Sequence, residues 1–376
     1  MKTRLFPSFE RQLIKGLLIG GCIALAVGCS TLAKRNDSGV IVATRAPIRS
    51  STAVVAADIL FVSRGDQVDI LEAVDVPDPT DNTKKERWLR VRAYDAESTE
   101  GWIESRNVMP EEVLEASRKA AEEDKEIPAQ ATGQLRSSSN FRLTPDRSQN
   151  ENIMMRLDSG SSFEIVGWKR VPKPNTSESI ESDVAPKAGS AQQGAQNRVR
   201  NGPEENQPEE DNELWYKVRL PPSISPAPGG WIYGKQVQLT VPSDIIFYRT
   251  GREFVAWQRL DGSPNENDSI SDKNAGRESR PGSWVILEKS GSNQPRTIDE
   301  PDFDRVYVVG YDKRNQEHYT AYRGPDVKGY LPLRIEGRGE NKTFKIRVQD
   351  ASGQVNEVAY GVYKDDRGVL KVAPPK

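Results

Sequence analysis

WLRVR at residues 88–92 is followed, after residues 93–100, by GWI at 101–103; WYKVR at residues 215–219 is followed, after residues 220–229, by GWI at 230–232. A phrase that returns in the same order along one chain marks an internal repeat, and a repeat sets the unit of folding before any element is assigned. The match extends upstream. Gly65-Asp66-Gln67-Val68-Asp69-Ile70-Leu71 pairs with Gly160-Ser161-Ser162-Phe163-Glu164-Ile165-Val166, a glycine turn and then apolar residues at alternate positions. Alternation of that kind is the period of a strand. Further upstream, Ile48-Arg49-Ser50 pairs with Phe141-Arg142-Leu143. Three matches in one order define two copies, residues 38–110 and 131–240.

The copies differ in one place. The second copy has more than twice the chain of the first between its glycine (Gly65 or Gly160) and its tryptophan (Trp88 or Trp215), and the excess is residues 169–213. That stretch is rich in Ser, Gln, Asn, Glu, Pro and Gly and has almost no large apolar side chains. Such a segment cannot bury enough surface to offset its ordering entropy, so it is expected to be a disordered insertion. A small β-domain tolerates one because the cost of closing a loop grows only logarithmically with its length.

The ordered phrases resemble bacterial SH3-like (SH3b-type) domains. In that family an N-V-R phrase opens the domain, G-x-x-V/F-x-V/I-L follows, and W-x-K-V and G-W-V/I close it. Asn140-Phe141-Arg142, Trp215-Tyr216-Lys217-Val218 and Gly230-Trp231-Ile232 fit closely; Ala46-Pro47-Ile48-Arg49 fits the opening more loosely. The resemblance implies two small five-stranded barrels. Val91 and Val218 would point inward, and Arg90 and Lys217 outward. It leaves Trp88, Trp102, Trp215 and Trp231 two roles: packing the core and its rim, or forming an aromatic groove for a peptide or glycan. Aromatic grooves suit extended ligands because they bury apolar surface at little entropic cost.

Between the copies, residues 111–127 read as a connecting helix. Pro110 suits its first turn, Asn107 is a candidate cap, and only Val113, Leu114 and alanines give it an apolar face, so it is expected to be largely solvated. Residues 241–376 keep β grammar without the repeat. Ile245–Tyr248, Phe254–Trp257, Trp284–Leu287, Val306–Val309 and Phe344–Val348 read as strands, with hairpin loops at 350–353 and 364–368 and a polar loop at 262–282. The fold class is therefore mainly β: two small barrels, a helix between them and a C-terminal all-β domain.

The N-terminus sets the location. Lys2, Arg4, Arg11 and Lys15 precede an apolar run from Leu17 to Val27, and a polar chain follows from Lys34. A basic head, a short apolar core and small residues at a cut site describe an export signal, and the run is short for a membrane span. Leu25-Ala26-Val27-Gly28-Cys29 resembles the lipobox of bacterial lipoproteins, although Ala26 stands where leucine is commonest. That resemblance implies a signal peptide over 1–28, a tether over 29–37, and diacylglycerol and a further fatty acid such as palmitate on Cys29. More than one acyl chain suffices for stable membrane anchoring. Ile19-Gly20-Gly21-Cys22 is a second match with too little apolar core before it, and an uncleaved N-terminal anchor is the other alternative. Ser30 after the cysteine, rather than aspartate, favours an outer membrane facing the periplasm.

Composition narrows the function. With 53 basic and 55 acidic residues, net charge −2, no field points to nucleic acid. The single histidine, His318, sits in DKRNQEHYTAY without an HExxH pattern, and its simplest reading is an exposed strand residue. No GxSxG or phosphate-binding loop occurs. No metal or cofactor is implied. The expectation is a non-catalytic envelope adaptor that binds peptidoglycan or an envelope protein. The alternatives are a cell-wall hydrolase with its catalytic part in 241–376, or a structural subunit of an envelope assembly.

Overall fold

In the computed structural model, which describes residues 37–77, 85–174, 211–249, 251–261, 281–291, 296–339 and 341–375, the two copies of the repeat have the same topology. The first comprises β1 (Asp37–Ile41), β2 (Arg45–Arg49), β3 (Asp58–Ser63), β4 (Gln67–Pro77), β5 (Lys85–Ala93), β6 (Glu100–Glu104) and β7 (Val108–Pro110). The second comprises β8 (Ala131–Leu135), β9 (Ser139–Arg142), β10 (Ile153–Leu157), β11 (Ser162–Pro172), β12 (Asn212–Arg219), β13 (Gly229–Tyr233) and β14 (Val237–Leu239). Their strand orders, β3-β2-β6-β5-β4-β1-β7 and β10-β9-β13-β12-β11-β8-β14, correspond strand for strand. Each is a curled antiparallel half-barrel of seven strands, two more than the five the resemblance implies. The likeness reaches the irregularities: a bulge falls after Ile70 in β4 and after Ile165 in β11. Gly65 and Gly160 open those strands at φ +91 and +85, in the left-handed region that only glycine enters freely.

The strand period explains the first core. Ala46 and Ile48, Leu89, Val91 and Ala93, and Ile103 are buried together, and the residues between them face out. In the second copy, Phe141, Phe163, Ile165, Val218 and Ile232 occupy the inside. The expected insertion is shorter than its sequence suggested. Residues 169–172 and 212–213 continue the β11–β12 hairpin, with Lys169 opposite Trp215 and Pro172 opposite Asn212. Hydrophilic side chains there belong to a strand edge rather than to a loop. Residues 175–210 of the insertion, the polar loop up to residue 280, the signal peptide with Cys22 and Cys29, and nearly all of the tether lie outside the described residues.

Helix α1 (Glu111–Glu123) starts after Pro110, with Glu111 and Glu112 placed well for the helix dipole. Two expectations about it are corrected. Asn107 does not cap it: its amide instead reaches Glu104 at 3.4 Å. Nor is the helix a solvated connector. Leu114 and Ser117 are buried, and Leu114 joins one core with Val40, Val42 and Met109 of the first half-barrel and Met154 and Ile232 of the second. A second tie between the copies is Arg64, whose Nη1 donates to the Ser223 carbonyl at 2.8 Å.

The C-terminal region contains two four-stranded meanders. One is β15 (Arg252–Arg259), β16 (Trp284–Ser290), β17 (Arg305–Asp312) and β18 (Glu317–Arg323); the other is β19 (Gly329–Arg338), β20 (Asn341–Gln349), β21 (Val355–Lys364) and β22 (Leu370–Ala373). The first meander is buried on both faces. Trp257, Trp284, Ile286, Tyr307 and Val309 enter the core of the second half-barrel, while Val285, Leu287, Val306 and Val308 meet Leu333, Phe344 and Ile346 of the second meander. Burial on both sides is why Trp284–Leu287 reads as a continuous apolar run. Ile245–Tyr248 departs from the expected strand. Residues 246–248 form one 3-10 turn, in which the Ile245 carbonyl accepts Tyr248 N–H at 3.0 Å; just before it, the Pro242 carbonyl accepts the N–H groups of Ile245 and Ile246.

Gln130 joins three parts of the fold and is fully buried. Its carbonyl accepts Trp257 N–H at 2.9 Å, its side-chain Oε1 accepts Leu333 N–H at 2.6 Å, and its Nε2 donates to the Leu333 carbonyl at 3.0 Å. With every polar group of the side chain used, the amide fixes the first meander and β19 against the second half-barrel.

Candidate functional site

The four tryptophans separate into two pairs. Trp88 and Trp215 are buried, at 6% and 0% exposure, so both are placed for packing rather than for contact with a ligand. Trp102 and Trp231 are half-buried on β6 and β13, at matching positions: Trp102 stands between Arg90 and Arg49, and Trp231 between Lys217 and Arg142.

Around Trp102 the outer face of the first half-barrel is open. Across β3-β2-β6-β5 the register sets Phe61 beside Pro47 and Trp102 beside Arg49 and Arg90. Phe61 is 49% exposed. Rings and guanidinium groups are interleaved: Arg45 lies 4.0 Å from the Phe61 centroid and Arg49 lies 5.9 Å from that of Trp88. Arg90 and Arg92 share Glu100 at 3.0 and 2.6 Å, and the hydrogen bond from Arg92 holds the Glu100 carboxyl below the usual range. This surface presents flat apolar area rimmed by oriented cations.

The equivalent face of the second half-barrel is closed. Helix α1 lies across β13, where Ser117 Oγ donates to the Gly229 carbonyl at 2.6 Å in a buried contact. The approach is tight: a Cβ on Gly229 would stand 3.1–3.3 Å from Cβ, N and Cα of Ala121, so the helix would have to give by a few tenths of an ångström. Asp124, just past the helix, pairs with Lys217 at 2.5 Å. On the same copy Arg147 stacks 4.4 Å from the Tyr233 centroid and forms a buried ion pair with Glu213. Arg156 stands opposite Asn140 where the first copy has Phe61 opposite Pro47.

The second half-barrel contributes to a different concavity, a cleft of 380 Å³ between its β11–β12 hairpin and the first C-terminal meander. Trp168 and Tyr216 form one wall, edge to face with ring centroids 6.3 Å apart. Trp168 Nε1 donates to Asp302 Oδ1 at 2.7 Å, closing the base of the cleft. Burial pushes the Asp302 carboxyl up, against the hydrogen bond from Leu331 N–H and that from Trp168. Glu300 is the opposite case: despite burial, Lys289 and Arg296 hold it below its ordinary value. Burial raises the Tyr216 phenol to about 12, so it stays a neutral hydroxyl. Sequence reasoning did not find this cleft. Its residues are scattered along the chain, and each reads by itself as an ordinary strand surface.

His318 is on a strand, β18, but it is not exposed as expected. Its Nε2 lies 2.8 Å from the Gly282 carbonyl and 3.7 Å from Asp244, and its ring sits between Tyr248 and Tyr311 at 5.5 and 4.9 Å. The 3-10 turn carrying Tyr248 covers it. Asp244 Oδ2 also accepts Gly282 N–H and Trp284 Nε1–H, so the carboxylate is held by three neighbours. Among the described residues no hydrogen bond joins His318 to a Ser, Thr or Cys side chain, and no cluster of three or more His, Cys, Asp or Glu is arranged to hold a metal ion. No helix among them is long and apolar enough to cross a membrane.

No protein-family model matches the chain, and no curated protein matches it. Among solved structures the chain is similar to NlpC1 from Trichomonas vaginalis, with 10% identity, 77% of this chain and 89% of that one covered, and a TM-score of 0.15. It is also similar to NlpC2 from Trichomonas vaginalis, with 9% identity, 91% and 93% coverage and a TM-score of 0.15. At such scores neither likeness carries an argument about what this chain does.

Proposed function

We propose that this chain is a non-catalytic binding protein of the cell envelope, anchored through lipid on Cys29, that holds peptidoglycan on the open face of an SH3-like first half-barrel. The observation that carries the reading is the asymmetry of the two copies. Phe61 stands exposed beside Arg45 on the outer face of the first, while α1 packs on β13 at Gly229 on that face of the second; Trp102 and Trp231 are themselves both half-buried. A polymer of sugars and peptides offers C–H faces for the rings and carboxylates for Arg45 and the other cations of the rim. The sequence of the first 29 residues supports the anchor.

Co-sedimentation of the full-length chain with purified sacculi tests the reading. The wild type is expected to pellet with the wall and to stay in the supernatant without it. Failure to pellet across salt concentrations excludes wall binding and directs the search to an envelope protein as the ligand. For the anchor, Cys29→Ser is expected to move the protein from the detergent phase to the aqueous phase. An unchanged partition would remove Cys29 from the account.

A further inference from the structure

The cleft between the second half-barrel and the first C-terminal meander is a separate surface from the Trp102 face, and the β11–β12 register decides which side chains face it. Trp168 stands opposite Tyr216 and Arg170 opposite Leu214, so these four share one face of the hairpin, while Lys169 and Trp215 point to the other. The Tyr216 phenol is raised chiefly by burial; the Glu253 carboxylate of β15 adds to the rise, and the guanidinium groups of Arg170 and Arg136 oppose it. A carboxylate from the meander and a guanidinium from the hairpin therefore meet at one hydroxyl. Among the described residues they form no ion pair with each other, and neither their side chains nor the Tyr216 hydroxyl has a hydrogen-bond partner. The charges that build the cleft are, by contrast, tied up: Asp302 with Trp168 and Leu331, and Glu300 with Lys289 and Arg296. Three open groups of different capacity thus converge beside an aromatic wall: Glu253 accepts only, Arg170 donates only, and the Tyr216 hydroxyl does both. The volume lies within the range of about 300–1,000 Å³ typical of small-ligand sites.

We propose that this cleft binds an uncharged sugar residue, whose neighbouring hydroxyls span Glu253, Arg170 and the Tyr216 hydroxyl and whose C–H face lies on the Trp168 and Tyr216 wall. A sugar hydroxyl donates and accepts at the same oxygen, so two adjacent ones complement an acceptor and a donor side by side without bringing a charge. An anionic ligand would meet Glu253 and Asp299, and a cationic one would meet Arg170. A hydrocarbon would leave three polar groups without partners in a partly buried site, which is costly. Two sources share the chemistry: the N-acetylated glycan of a wall, or a free gluco-oligosaccharide.

Calorimetric titration of the full-length chain, in a detergent without a sugar headgroup, with chitotriose and separately with maltotriose tests the site. Saturable heat is expected at millimolar sugar, with affinity falling about tenfold in Glu253→Gln and by a similar factor in Arg170→Met. Tyr216→Phe, which removes one oxygen, should cost roughly fivefold. Lys169→Met, one residue along the same strand but on its other face, should bind as the wild type does. A single subsite this weak does not hold the chain on sacculi, so Trp102→Ala should leave the titration unchanged while abolishing wall pelleting, and Glu253→Gln should do the reverse; the two sites fail independently. No saturable heat with either sugar, heat with the tripeptide Ala-Glu-Lys in their place, an unchanged affinity in the folded Glu253 and Arg170 variants, or an equal loss in Lys169→Met overturns the proposal. The two sugars assign the source: tighter binding of chitotriose selects the N-acetylated wall glycan, tighter binding of maltotriose a free gluco-oligosaccharide.

Discussion

The two half-barrels share strand order, turn glycines and even a bulge, yet they differ at the surface, and the difference can be traced to a few positions. In GWI of the first copy the preceding residue is Glu100; in the second it is Gly229. Both stand at the same register position, opposite Arg92 and Arg219 respectively. A glutamate there projects into solvent and gathers Arg90 and Arg92. A glycine there lets a helix backbone come into contact. Likewise Glu86 is matched by Glu213: the first makes a loose pair with Arg106 at 3.9 Å on the surface, the second a buried pair with Arg147. The two copies thus share a core and differ in covering: the outer face of the first stays open, and the second is the hub that joins α1 and the C-terminal region.

The largest test of that contrast is at the paired glutamates. Arg147→Met strands the Glu213 carboxylate in the interior and is expected to cost about 3–5 kcal/mol in denaturant unfolding. Arg106→Met, its surface counterpart, is expected to move the midpoint hardly at all. Equal effects would erase the distinction between hub and open copy. Next is the helix contact. Gly229→Glu gives the second copy the residue of the first, and overpacking against Ala121 should cost about 2–3 kcal/mol. It should also speed proteolysis within residues 111–127, whereas Glu100→Gly leaves both the midpoint and the cleavage pattern as they are. A smaller effect is expected of Ser117→Ala, about 1–2 kcal/mol, from losing its buried hydrogen bonds with Gly229.

Much of the fold was legible because the strand period and the repeat are local signals that reinforce each other. Val68, Ile70, Leu89, Val91 and their counterparts declare an inside and an outside wherever one face is buried. The run Trp284–Leu287 was legible as a strand, but not its two-sided burial, since a continuous apolar run does not say what covers it. Ile245–Tyr248 misled because four apolar residues in a row resemble a strand, while Pro242 sets a turn. His318 and the 380 Å³ cleft were invisible for a common reason: each is made by elements far apart in sequence, such as Asp244 with Gly282 and His318, or Trp168 with Asp302. The open face was half legible. Trp102 and Trp231 were both candidates, and the glycine that decides between them, Gly229, stood in plain view beside the motif, but its meaning depends on a helix packing against it.

The most direct test of the account is co-sedimentation with sacculi of full-length Trp102→Ala and Trp231→Ala, both checked for folding by circular dichroism. The account predicts that Trp102→Ala remains in the supernatant while Trp231→Ala pellets as the wild type does. Retained pelleting by a folded Trp102→Ala, or loss confined to Trp231→Ala, would contradict it.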